Sequence, residues 1–287
     1  MELKGKVCLV TGASSGIGEA TAEGLGALGA SVVAVMRDKS PKAESAMRKI
    51  EAGSRDGGGS VSAMYADLSS QSSIRRLAQD FEKRFDRLDV LINNAGVSPW
   101  KRHTTTDGLE LTFAVNVLAP FLLANLLLGR LKASAPSRIV NVSSAAAGGT
   151  IEFDDLQGEK KYSMFAAYGK SKLALNVLTV ELARRLQGTG VTANFLHPGV
   201  VRTNLARDMN PVAQALTSLV KPFMASPKKG SRTSIYVATA PELEGVSGKY
   251  FSGGKEATAP KGSYDGAAAK RLWEVCEQLT EKPASGE

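Results

Sequence analysis

The chain is sparing with residues that mark several protein classes. Its 287 residues include only two cysteines, Cys8 and Cys276, which excludes a disulfide framework. Free thiols fit a reducing compartment, and a cytoplasmic location is expected. No run of about 18 apolar residues occurs, so a transmembrane helix is excluded. The longest apolar stretch, residues 115–128, is interrupted by Asn116, Pro120 and Asn125. The first residues lead straight into a strand pattern, leaving no room for a signal peptide. Aromatics make up only 6% of the chain. The net charge of +8 is spread among acids, without a block of like charge. Nucleic-acid binding calls for a clustered basic patch with interleaved aromatics and is not expected. One segment, 202–232, sets six cations against the single Asp208. No metal site is expected. Asn141-Val142-Ser143 matches a glycosylation acceptor, but it falls inside a strand-like run and is read as accidental.

What is present is a regular alternation. Short apolar or β-branched runs at 7–10, 32–35, 61–65, 90–92, 138–142, 191–196 and 248–251 read as strands. Between them, 16–28, 41–52, 69–85, 107–131, 164–186 and 228–239 read as helices. Unbroken apolar strands alternating with helices predict an α/β fold: one domain around a Rossmann-type, doubly wound parallel sheet of about seven strands, with helices on both faces. Residues 53–60 read as a flexible glycine-rich loop. Apolar residues between Met209 and Met224 give a helical pattern in a long crossing segment. It reads as a substrate lid over about 200–230, or as packing on the core alone. A polar tail from about residue 255 holds one more helix, 267–279.

The turn Thr11-Gly12-Ala13-Ser14-Ser15-Gly16-Ile17-Gly18 joins the first strand to the first helix. Glycine there permits close approach of backbone to a pyrophosphate, and the helix N-terminus offers free N–H groups and a positive dipole end. The spacing is G-x-x-x-G-x-G rather than G-x-G-x-x-G. A site for NAD usually places an acid at the end of the second strand; here stand Met36 and Arg37. A guanidinium holds a 2′-phosphate that an acid would repel, so NADP(H) is the expected cofactor. The alternative for Arg37 is a plain surface arginine, and Asp38 either turns inward or caps the next helix. Asp67, followed by Leu68, either accepts from the adenine amino group or caps the helix that follows. Asn93-Asn94-Ala95-Gly96 ends the fourth strand with small residues that suit the adenosine side of a cofactor.

Tyr168 and Lys172 are four residues apart, about one helical turn, and so share a face. The ammonium favours phenolate and is expected to lower the tyrosine pKa from about 10, giving a general acid/base for neutral pH. Ser144 falls at the carboxyl end of the fifth strand, where ligands of such sheets bind. Asn116 is a polar residue inside an apolar helix. Singly, these are a turn serine, a backbone-bonding asparagine and a chance pair.

Taken together and in order, the turn 11–18, Asp67, Asn93 to Gly96, Asn116, Ser143-Ser144, Tyr168-Gly169-Lys170-Ser171-Lys172, Pro198-Gly199 and Thr203 resemble the short-chain dehydrogenase/reductase superfamily over about residues 5–255. The resemblance implies that Tyr168 is the acid in carbonyl reduction and the base in alcohol oxidation. Lys172 would lower its pKa and hold the nicotinamide ribose. Ser144 would hydrogen-bond the reacting oxygen, and Asn116 would hold a water linking Lys172 to solvent. After Pro198 and Gly199, the Val201 backbone and the Thr203 hydroxyl would clamp the carboxamide. Such proteins are often dimers or tetramers through the Tyr168 helix, so the resemblance leaves a homodimer or homotetramer open.

The 23 residues between Ser144 and Tyr168 exceed the length found in many compact members. The segment 151–163, Arg37-Asp38, Gly248-Lys249-Tyr250-Phe251 and the run from Arg271 to Glu277 resemble the retinol dehydrogenase-like branch. That branch includes NADP-preferring enzymes acting on retinoids, sterols, lipid aldehydes and aromatic carbonyls. The expectation is an NADP-dependent oxidoreductase interconverting an alcohol and a ketone or aldehyde on an apolar substrate. Peripheral membrane contact through the basic lid is a weaker extension. A non-catalytic NADP-binding protein of the same fold is the alternative. It predicts erosion of Asn116, Ser144, Tyr168 or Lys172, and all four are present.

Overall fold

The computed structural model describes residues 3–55, 57–201 and 225–281. Eight strands form one sheet: β1 (Val7–Thr11), β2 (Ser31–Met36), β3 (Ser60–Tyr65), β4 (Val90–Asn93), β5 (Ser137–Val142), β6 (Val191–His197), β7 (Tyr250–Ser252) and β8 (Lys255–Glu256). Their order is β3-β2-β1-β4-β5-β6-β7-β8. The first seven are parallel, as the sequence predicts, and β8 pairs antiparallel with β7. The sequence reading missed β8; Gly253 (φ 62) and Gly254 (φ 75) make the two-residue hairpin that returns it.

Every residue of β1 and β4 is buried, because helices cover both faces of the sheet. One apolar layer lies under the helices Gln71–Arg84, Ala119–Leu126, Met164–Arg185 and Gly266–Glu281; the other lies under Gly16–Ala27, Pro41–Arg55 and Pro227–Thr239. The chain runs from β1 outward to β2 and β3, then crosses back to β4 on the other side of β1. That reversal opens a crevice at the carboxyl ends of β1 and β4, where ligands of such sheets sit.

Two sequence expectations are corrected. The single helix expected over 107–131 is broken. Glu110 starts it by accepting from the N–H groups of Thr112 and Phe113, both at 2.8 Å. After Leu111–Phe113 the turns widen into a π-helical stretch, Ala114–Leu118, with the Ala119 N–H donating to the Ala114 carbonyl. Pro120 explains part of this, since it has no N–H for the Asn116 carbonyl four residues back. A second helix, Leu128–Ala133, follows Leu127. Part of 53–60 is helix and packed turn: the helix continues to Arg55, and a Cβ on Gly57 would meet the Ala27 carbonyl oxygen at 2.1 Å, while Gly58 (φ +69) has open space around it. The helix expected at 267–279 in the polar tail is present as Gly266–Glu281 and buries Leu272, Trp273 and Cys276. Trp273 packs edge-on against Phe121, with Arg185 over its ring.

The lid expected over about 200–230 lies largely outside the described residues, including Thr203 and the Met209 to Met224 pattern. Among the described residues no helix is long and apolar enough to cross a membrane. Both cysteines are free and buried.

Candidate active site

The glycine turn sits at the crevice. Gly18 is locked by close approach: a Cβ there would lie 2.4 Å from both the Asn94 side-chain nitrogen and the Gly12 carbonyl oxygen. A Cβ on Gly12 would meet Ala95 at 2.9 Å. Gly16 is different. Its φ is +62 and nothing lies within 4 Å of its Cβ position, so its backbone faces open space. Ser15 caps the helix Gly16–Ala27 by position only, with no side-chain bond to the first turn. The early N–H groups of that helix therefore remain available to an anion. Ser14 and Ser15 are half-buried beside it, and Ile17 is buried under the helix.

Thr11 ties this turn to the end of β4. Its hydroxyl accepts from the N–H groups of Asn94 (3.0 Å) and Ala95 (3.1 Å), and the Asn94 amide donates to the Thr11 carbonyl at 2.9 Å. Arg37 follows the buried Met36 with its side chain 77% exposed, 3.3 Å from Asp38. Asp38 is drawn to Ser40 and Arg37, whose hydrogen bonds hold its carboxyl below the usual range. Asp67 gives one carboxylate oxygen to Ser69, accepting from its N–H at 2.9 Å and its hydroxyl at 2.7 Å. The cap of the helix Gln71–Arg84 is Ser70, whose hydroxyl accepts from the Ser73 N–H at 3.4 Å, so Asp67 does not cap that helix. Leu68 packs on the core edge.

The catalytic candidates converge at the carboxyl ends of β4 to β6. Lys172 is only 3% exposed. Its Nζ donates to the Val142 carbonyl at 2.9 Å and lies 5.8 Å from the Tyr168 ring centre. Burial lowers its pKa to about 8. Tyr168 shares a hydrogen bond with Ser144 that pulls its pKa down, but burial outweighs this and raises it. The expected lowering of the phenol by Lys172 is therefore corrected for this arrangement. The ammonium is aimed at the Val142 carbonyl, and desolvation disfavours phenolate.

Asn116 lies in the π-helical stretch with no exposed surface. Its Oδ1 accepts from the Val97 N–H at 2.8 Å, and its Nδ2 donates to the Val97 carbonyl (3.0 Å) and the Ser171 hydroxyl (2.9 Å). A Cβ on Gly96 would lie 3.4 Å from both Asn116 Oδ1 and Lys172 Nζ, so these two groups face the same bare backbone. Pro198 and Gly199 follow β6; Gly199 has φ +90 and open space around it. Val201 is buried in a bridge to Ala225.

Sequence reasoning missed the supports. Asn93 donates to Asn141 at 2.8 Å and Asn141 to Thr179 at 2.7 Å, a buried polar chain from β4 through β5 to the Tyr168 helix. Two asparagines in otherwise apolar strands were its available signal. Asn141 is 4% exposed, in keeping with reading its glycosylation match as accidental. Val97 offered no signal, because only its backbone acts.

A parallel sheet whose switch point meets a glycine turn, with Ser144, Tyr168 and Lys172 gathered beside it, defines a nucleotide-dependent dehydrogenase class. The family model described as short chain dehydrogenase matches residues 6–214. The chain belongs to the short-chain dehydrogenase/reductase family, in its retinol dehydrogenase-like branch. It is 45% identical to Retinol dehydrogenase 14 of Homo sapiens over 296 residues, covering 96% of this chain and 87% of that protein. Among solved structures, a protein from Mycobacterium paratuberculosis is 32% identical, with a TM-score of 0.75 and coverage of 99% and 97% of the two chains. The Pseudomonas aeruginosa RhlG/NADP active-site complex is 30% identical, with a TM-score of 0.70 and coverage of 87% and 95%. The chain is an oxidoreductase of alcohol or carbonyl groups with a nicotinamide cofactor, and the glycine cradle fits such a group.

Proposed function

We propose that this chain is an NADP(H)-dependent oxidoreductase that interconverts an alcohol and a ketone or aldehyde on an apolar molecule. The observation that carries the reading is the gathering of Ser144, Tyr168 and buried Lys172 around one point. When bound, the nicotinamide nucleotide supplies or accepts the hydride. The chain's own residues handle the oxygen.

Burial keeps the Tyr168 hydroxyl protonated at neutral pH, ready to donate to a carbonyl oxygen in reduction. In alcohol oxidation the same oxygen takes the proton. Ser144 donates a hydrogen bond to the reacting oxygen as charge builds on it. Lys172 is a cation below about pH 8, held at the Val142 carbonyl beside the Tyr168 ring. Asn116, whose side chain is held by Val97 and Ser171, would hold a water that passes protons toward Lys172. Where NADPH is in excess, reduction dominates.

Exposed Arg37 supports the choice of NADP, since its guanidinium can turn to a 2′-phosphate. The apolar substrate is supported by two exposed rings, one beside the Tyr162 contact and one in the turn before Tyr168. Trp100 is 38% exposed and follows Pro99, whose carbonyl accepts from Tyr162; Phe165 is 70% exposed in the first turn of the Tyr168 helix. A screen of NADPH oxidation over retinoids, steroids, lipid aldehydes and aromatic carbonyls identifies the substrate. Tyr168→Phe then lowers kcat by roughly 10²–10⁴-fold while NADPH affinity stays nearly unchanged. Turnover close to wild type in that variant overturns the assignment.

A further inference from the structure

The exit of β2 carries a second cation, two residues beyond Arg37. The Ala13 N–H of the glycine turn donates to the Val35 carbonyl at 3.1 Å, and the Ala66 N–H after β3 donates to the Met36 carbonyl at 2.8 Å. The chain therefore leaves β2 between the nucleotide turn and the exit of β3. Arg37, Asp38 and Lys39 are all exposed on this rim.

The two cations are held in different ways. Arg37 donates to Asp38 at 3.3 Å, so a carboxylate already offsets part of its charge. Lys39 instead lies over an aromatic face, with its Nζ 5.5 Å from the centre of the Tyr65 ring. Tyr65 ends β3 opposite Met36 in the parallel register, yet its ring is exposed where Met36 is buried. Among the described residues no carboxylate pairs with Lys39. A ring face attracts an ammonium without cancelling its charge. Arg37, Asp38 and Lys39 together carry one net positive charge, so removing Lys39 leaves the rim neutral. A dianion arriving here meets a full charge at Lys39 and a partly compensated one at Arg37.

We propose that Lys39, positioned on the Tyr65 ring, determines the preference for nucleotides that bear a 2′-phosphate. This rests on the NADP(H) reading and deepens it. Lys39 supplies a preset point charge for a phosphate oxygen, whereas the Arg37 guanidinium must first turn away from Asp38. Tyr65 is a positioning residue: it acts through the lysine and limits where the ammonium can swing.

Full-length protein is titrated calorimetrically with 2′,5′-ADP and with 5′-AMP. These fragments differ by the 2′-phosphate and carry no nicotinamide, so the readout is binding rather than turnover. Wild type is expected to prefer 2′,5′-ADP. In Lys39→Met that preference falls about tenfold through loss of 2′,5′-ADP affinity alone. Lys39→Arg keeps most of it. Tyr65→Leu gives a smaller loss of the same kind and adds nothing to Lys39→Met in the double variant, because ring and lysine act as one unit. Thermal unfolding checks that each variant is folded, and Lys39→Gln stands in if Lys39→Met is not. A wild type that binds both fragments equally overturns the NADP(H) reading and this inference together. A wild-type preference that survives Lys39→Met, or an equal loss of both fragments in that variant, overturns this inference alone. Additive losses in the double variant overturn the positioning role of Tyr65.

Discussion

Asn116 and Val97 grip each other at two points: the Val97 N–H donates to Asn116 Oδ1 at 2.8 Å, and Asn116 Nδ2 donates back to the Val97 carbonyl at 3.0 Å. The pair pins the strand exit just after Gly96 against a helix whose backbone has widened into a π turn. Such turns are frequent at functional sites because they re-aim one residue without ending the helix. Asn116→Leu leaves the Val97 N–H and carbonyl without this partner in a half-buried site. A loss of about 2–4 kcal/mol in urea unfolding is expected, with kcat falling in the folded fraction. Unchanged stability in that titration would mean that the grip contributes nothing.

Two neighbouring glycines are expected to respond differently. Gly18→Ala drives a methyl into the Gly12 carbonyl and the Asn94 amide, each 2.4 Å away, so the turn must move and nucleotide affinity collapses together with stability. Gly16→Ala meets no atom within 4 Å but carries φ +62, a strain of about 1–2 kcal/mol. It should fold and bind NADPH more weakly. Nucleotide titration with thermal unfolding distinguishes them, and equal behaviour of the two variants contradicts the packing argument.

Arg37 tests the proposed preference for NADP(H). Arg37→Asp removes a charged hydrogen-bond donor and sets an acid where the 2′-phosphate would lie. The ratio of kcat/KM for NADPH over NADH is expected to fall by roughly tenfold to a hundredfold. An unaltered ratio would assign phosphate recognition elsewhere.

Lys172 sets a pH window. In the folded chain it releases its proton near 8, while the unfolded chain keeps that proton up to the ordinary 10.5. Between these values the unfolded state binds more protons, so this group adds stability as pH rises, even as the active-site cation is lost. Carbonyl-reduction kcat/KM, which reports the free enzyme, is expected to decline through pH 8. Lys172→Arg, permanently charged, loses that inflection along with much of its activity. A profile flat to pH 10 in the wild type refutes the lowered pKa.

Local pattern alone was enough to read the alternation of strands and helices, the glycine turn and the pairing of Tyr168 with Lys172. Each depends on neighbours a few residues apart: apolar strands buried on both faces, glycine where backbone must approach backbone, and a four-residue step that sets two side chains on one helix face. Tertiary structure decided what those side chains experience. Burial, rather than the adjacent ammonium, governs the Tyr168 proton, and the Val142 carbonyl claims Lys172. Asn116 acts through the backbone of Val97, 19 residues away, which no spacing rule reveals. The C-terminal helix finds its place through partners distant in sequence, among them Phe121 and Arg185 at Trp273. Desolvation and long-range contact belong to the assembled layers, and a linear chain carries no measure of either.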